Sequence, residues 1–132
     1  MSTFALENPN TGVSEETFDR INDSDRDAIL DRSTEAFKSW SRTSIEERAA
    51  ILFRTADLYE ENADKLAEHI GREMGKLTRW AKGEIQIVAD IYRWYAEHAH
   101  ELLAPEYLAA QGAQKTVVQK EPLGPLLGVM PW

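Results

Sequence analysis

Side chains that could do chemistry are few in this chain. It has three histidines, His69, His98 and His100, and no cysteine. Without cysteine there is no disulfide, no thiolate nucleophile and no thiolate metal ligand within these residues. His98 and His100 stand two apart in a helix-like stretch, so their rings point away from each other. A metal site built on them would need a broken helix or carboxylates from elsewhere, and solvated helix side chains are the simpler reading. His69 and Glu73 are one helical turn apart, which allows a hydrogen-bonded pair or plain surface support of a helix. The carboxylate pairs Glu46–Glu47 and Glu60–Glu61 are adjacent in sequence and cannot face one substrate from a helix, so paired acid–base work of the glycosidase kind is not indicated. Glu73-Met74-Gly75-Lys76 places a lysine after a glycine. It lacks the glycine spacing and the trailing Ser or Thr of a phosphate loop, and a helix C-cap with a lysine complementing the negative helix end accounts for it.

The aromatic residues Trp80, Tyr92, Trp94 and Tyr95 fall in one stretch. They read as packing against a core or a partner, with Trp94 off the Tyr92 face and a candidate for the partner side. The balance of 23 acidic against 15 basic residues gives a net charge of −8, which disfavours nucleic-acid binding because phosphates need a basic footprint. The opening MSTFALENPNTG lacks the basic start and apolar run of a secretory leader, and no stretch reaches membrane-spanning length. A cytoplasmic protein without membrane or nucleic-acid partners is expected.

The elements that would position these residues are mainly helices. Residues 1–22 are mixed and polar, with a turn at Asn8-Pro9-Asn10-Thr11-Gly12. Ser24, with Asp27 three residues on, predicts the start of a first helix whose apolar stripe is Ala28, Ile29, Ala36, Phe37 and Trp40. A second helix is predicted from Thr43 with Glu46 at the capping-box position. Its apolar face is Ile45, Ala49, Leu52, Phe53, Ala56 and Tyr59. Asn62 restarts a helix bearing Leu66, Ala67 and Ile70, and Gly75 stops it. Thr78 is read as the cap of a fourth helix running to about Leu103, with Ile85, Val88, Tyr92, Tyr95, Ala99 and Leu102 along one side and Pro105 closing it.

The pattern then changes. Gln114 to Lys120 reads as a short strand around the β-branched Thr116, Val117 and Val118. Glu121-Pro122-Leu123-Gly124-Pro125 is a turn. The continuous apolar run Leu126 to Met130 suits a strand buried on both faces of a parallel sheet. A sheet needs neighbouring strands, and little chain is left to supply them, so a C-terminal continuation is expected.

Several of these segments resemble one family. Glu121 to Trp132, EPLGPLLGVMPW, resembles the stretch that opens the cofactor domain of the NAD(P)-dependent aldehyde dehydrogenases. NPNTG, the AFKSW of Ala36 to Trp40, and SIEERAAILFRTADLYEENADKLAEHIGREMGK resemble successive N-terminal elements of the same family. KGEIQIVADIYRWYAEHA is similar to the next helix in its succinate-semialdehyde dehydrogenase branch. The likeness runs in order from about Asn8 to the last residue.

The resemblance implies an N-terminal α/β fragment of such an enzyme. Residues 1–113 would be the mostly helical N-terminal part of the nucleotide-binding domain. Residues 114–120 would be a strand of the oligomerisation sheet, and residues 121–132 the truncated start of the Rossmann-like sheet. It implies oxidation of an aldehyde to an acid in the complete enzyme. A cysteine thiolate attacks the carbonyl, hydride passes to NAD or NADP, and water releases the acid from the thioester. Of the family's functional positions, only Val129, Met130, Pro131 and Trp132 match, as residues bordering the dinucleotide. The nucleophile, the glutamate base, the oxyanion asparagine, the ribose-binding pair and the pyrophosphate glycine turn have no counterpart here. The resemblance therefore implies no catalytic residue and no metal ligand in this chain, no activity and no cofactor binding by it alone, and an aldehyde substrate and a homo-oligomer for the complete enzyme. A free-standing helical interaction module without catalysis is the alternative reading.

Overall fold

The computed structural model describes residues 3–109, 112 and 115–130. In chain order the elements are β1 (Thr3–Asn8), β2 (Val13–Asp19), α1 (Asp23–Trp40), α2 (Ile45–Glu61), α3 (Ala63–Met74), α4 (Thr78–Leu103), β3 (Glu106–Leu108) and β4 (Thr116–Val118). They form four helices and two separate two-stranded antiparallel sheets, β1–β2 and β3–β4.

The core lies among α2, α3 and α4. Ala67, Ala81 and Ile85 are buried there, with Tyr59, Ala63, Leu66 and Ile70 packed around them. Ala56, Ala89 and Ala96 are also buried, and no large side chain is fully enclosed among the described residues. The fully buried positions are therefore mostly alanine, which lets backbones approach closely while contributing little apolar area per residue. α1 has no buried residue and packs on none of the other described elements.

Four features depart from the sequence reading. The polar first segment is a β-hairpin. All seven residues of β2 are exposed, so it carries no core-facing alternation to announce it, and the turn at Asn8–Gly12 is the hairpin loop. α1 is capped by Asn22, not Ser24: the Asn22 side chain accepts from the Asp25 N–H at 2.8 Å, and Asn caps as well as Ser. α2 begins one residue later than predicted, with Ser44 as cap and Glu47 completing the capping box. The Thr43 hydroxyl instead donates to the Trp40 carbonyl at 2.7 Å, at the end of α1. Finally, Thr78 is the first helical residue of α4, and the cap position is Leu77, which makes no side-chain cap.

The strand expected over 114–120 is present as Thr116–Val118, and Gln114 lies outside the described residues. Its partner β3, with Tyr107 opposite Val117, follows directly on Pro105. The run Leu126 to Met130 forms no strand with any described residue. A strand exists only by pairing, and no described segment offers it a ladder.

Asn62 ends α2 and starts α3, and Gly75 closes α3 at φ 71°. A Cβ on Gly75 would sit 3.0 Å from Pro9 Cγ in the hairpin loop. Gly75→Ala is expected to cost about 1–2 kcal/mol, because an L-residue in the left-handed region is disfavoured by that much. The close approach to Pro9 adds to the cost. Urea denaturation of the two proteins measures it, and equal midpoints would be the contrary result.

Candidate functional site

The three histidines do not converge. His98 stacks on Trp94, ring centroids 4.3 Å apart, with its Nδ1 2.8 Å from the Trp94 carbonyl. His100 Nε2 lies 2.8 Å from Glu46 Oε1, tying the last turns of α4 to the first turn of α2. His69 and Glu73 line a shallow pocket beside β1 and β2, and no hydrogen bond joins them among the described residues. No group of three or more His, Cys, Asp or Glu is placed to hold a metal among the described residues. Lys76 follows the αL cap of α3 and pairs with Glu84 on α4.

Charge is organised in two networks that fix one element to another. In the first, Asn8 donates from Nδ2 to Glu15 Oε1 at 2.7 Å, and Arg72 on α3 donates from Nε to Glu15 Oε2 at 2.8 Å. The Asn10 N–H donates to Asn8 Oδ1 at 2.9 Å, and Asn10 Nδ2 donates to the Gly71 carbonyl at 3.3 Å. The Asn8 amide, then Arg72, holds the Glu15 carboxyl below its usual range. The hairpin is thereby fastened to the end of α3.

The second network joins α2 to α4. Arg93 donates to both oxygens of Glu60, each at 2.7 Å, and to Asp57 at 2.9 Å. Gln86 Nε2 donates to Glu60 at 2.9 Å and to Asp90 at 3.0 Å. Hydrogen bonds from Arg93 first, then Gln86, lower the Glu60 carboxyl to about 2, and the carboxylates raise the Arg93 guanidinium.

The apolar surface is extensive. Between the start of α2 and the end of α4 lies a groove of about 460 Å³, walled by Ile45, Ala49, Leu52, Tyr95, Ala99 and Leu102. Tyr92 packs against Tyr59 of α2, ring centroids 5.8 Å apart. Trp94 meets Tyr95 edge-on, and both remain about half exposed, as does Trp80. Beyond β4, Leu123, Leu126 and Leu127 are 94%, 83% and 90% exposed. Val129 and Met130, the expected cofactor-bordering residues, belong to the same exposed stretch, and Pro131 and Trp132 lie outside the described residues. Contiguous apolar surface of this kind marks a place where something else packs.

The whole chain, residues 1–132, matches the aldehyde dehydrogenase family. The chain belongs to that family. It is 39% identical over 129 residues to the succinate-semialdehyde dehydrogenase [NADP(+)] of Deinococcus radiodurans, covering 98% of this chain and 27% of that protein. The fold agrees with solved family members. Succinate-semialdehyde dehydrogenase from Burkholderia pseudomallei superposes with a TM-score of 0.82 at 35% identity, over 93% of this chain and 26% of its own. The Streptococcus pyogenes succinic semialdehyde dehydrogenase, solved with NADP+, gives 0.78 at 33% identity, over 82% and 24%. The chain thus spans about a quarter of the length of the aldehyde dehydrogenases it matches.

The residues matched in those relatives are about a quarter of their length, and the exposed apolar surfaces described above fall within that matched part. Sequence reasoning missed both side-chain networks. Asn8 was legible only as a turn residue. Arg93 and Glu60 sit 33 positions apart, and nothing local to either announces the other.

Proposed function

We propose that these residues form the N-terminal quarter of an NADP-dependent succinate-semialdehyde dehydrogenase. The observation that carries the reading is the 39% identity to the Deinococcus radiodurans enzyme along 98% of this chain. In this reading, residues 1–113 form the helical flank of the nucleotide-binding domain, residues 114–120 join an oligomerisation sheet, and residues 121–132 open the nucleotide-binding sheet. Val129, Met130, Pro131 and Trp132 then border the cofactor. The β3–β4 hairpin is exposed along both strands, which suits an arm that pairs with another subunit of a homo-oligomer.

The residues present fit one edge of a cofactor cleft and no more. Val129 and Met130 offer apolar contact, and no described cluster supplies an anion-binding turn for a pyrophosphate. When bound, the nicotinamide accepts a hydride. The chain's own contribution is to fix the helices from which the first sheet strand departs. With no cysteine in the sequence, the thioester chemistry is the task of residues outside these 132. NADP is favoured over NAD, and succinate semialdehyde over other aldehydes, on the names of the relatives alone.

The test is a chimera in which residues 1–132 replace the matching part of the Deinococcus radiodurans enzyme. NADP-dependent oxidation of succinate semialdehyde is the expected result. A soluble chimera without that activity, where the parent Deinococcus radiodurans enzyme has it, would overturn the placement of these residues in such an enzyme.

A further inference from the structure

We propose that Arg93, gripped by Glu60 and Asp57, is a latch that fixes the register of α4 on α2. The packing beneath it explains why a latch is needed. Ala56 on α2 and Ala89 and Ala96 on α4 are buried, and small side chains make shallow ridges that define axial position weakly. Axial position then falls to the side chains that bridge the pair, Tyr59–Tyr92, Glu46–His100 and the Arg93 grip on Glu60 and Asp57, of which the guanidinium pairing is the most directional.

Asp57 and Glu60 stand three apart on one face of α2, and Gln86, Asp90 and Arg93 follow one face of α4. The planar guanidinium meets the Glu60 carboxylate through two parallel bonds at 2.7 Å, a geometry with little tolerance for sliding. A slip of one turn, roughly 5.4 Å, would break both.

The charged groups around the guanidinium are Asp57 and Glu60 from α2 and, on its own helix, Asp90 and Glu97 one turn to either side. The neighbouring pairs Arg54–Glu61 and Lys82–Asp64 are satisfied separately, the latter joining α4 to α3. Glu60 is held at about 2, below its ordinary 4.5. A depressed carboxyl contributes stability that is complete above the ordinary value and is lost as pH falls toward the lowered one. The latch is therefore engaged at neutral pH and opens between roughly pH 4.5 and 2.

The chain is free of cysteine, so spin labels can be placed without interference. Nitroxides at Ala50→Cys on α2 and Glu101→Cys on α4, both exposed positions, report the distance along the helix pair. A single narrow distribution is expected at pH 7. Arg93→Met should broaden or shift it, as should acidification of the parent toward pH 2. Because acid also discharges the other pairs that hold α4, such as Lys82–Asp64 and His100–Glu46, Arg93→Met should still respond to it, but by less than the parent. Arg93→Lys should restore only part of the order, because an ammonium cannot form the two parallel bonds.

Hydrogen-exchange protection of α2 and α4 amides should fall in Arg93→Met by about twofold to fivefold per lost pair. If Arg93→Met does not fold, Asp57→Asn removes one charged acceptor and should give a smaller change of the same kind. An unchanged distribution in Arg93→Met, full rescue by lysine, or an acid response identical with and without Arg93 would each overturn the proposal.

Discussion

The 132-residue chain, purified alone and mixed with succinate semialdehyde and NADP, is expected to form no reduced cofactor above the uncatalysed background. The reason is chemical. Oxidation through a thioester needs a nucleophile that a weak base can activate, and the chain contains no cysteine. His98 and His100 are occupied with Trp94 and Glu46 and face no common point. Enzymatic acceleration commonly exceeds a millionfold, so loss of the covalent step is the largest effect to be expected for this protein. The assay is continuous absorbance of reduced nicotinamide at high protein concentration. A rate that scales with the chain and survives further purification would show that some other group in it supplies the chemistry.

The second large effect concerns the alanine-lined packing of α2 and α4. Ala89 is 0% exposed in the middle of α4, and Ala56 is 0% exposed on α2. Ala89→Leu inserts three carbons where the facing helix leaves no room. Overpacking of this kind costs about 1–3 kcal/mol, or more where the backbone must move. Since a domain of this size is stable by about 5–15 kcal/mol, a large part of the reserve is lost. Ile87, two residues away and 59% exposed, is the control: Ile87→Ala should stay within about 0.5 kcal/mol of the parent. Urea denaturation followed by circular dichroism separates the two. Equal midpoints for Ala89→Leu and the parent would mean that the helices do not meet there.

What the sequence revealed follows from how local each signal is. Gly75 and Asn62 were legible because a left-handed cap and a helix restart depend on the residue itself. The apolar run 126–130 reads as a strand from its composition alone, and in the structure it forms none with any described residue, because a strand needs a partner that its own sequence does not supply. The hairpin was not legible, since a strand exposed at every position loses the alternation by which strands are recognised. Ser24 and Asn22 are both competent caps, and only the geometry at Asp25 decides between them. The Asn8–Glu15–Arg72 and Asp57–Glu60–Arg93 networks bring together residues far apart in sequence, and no periodicity encodes such meetings. The family emerged from five short segments in the right order. The positions proposed to border the cofactor rest on that order alone, since Val129 and Met130 make no telling contact here.

Residues 121–132 are proposed to open a sheet completed by the rest of an aldehyde dehydrogenase. Residue-resolved hydrogen exchange over Leu126 to Met130 tests this placement most directly, comparing the chain alone with the chimera carrying the remainder of the Deinococcus radiodurans enzyme. These amides are expected to exchange at nearly the free rate in the chain alone and to become strongly protected in the chimera, as those of a central strand. Amides that stay unprotected in a chimera that oxidises aldehyde would contradict it.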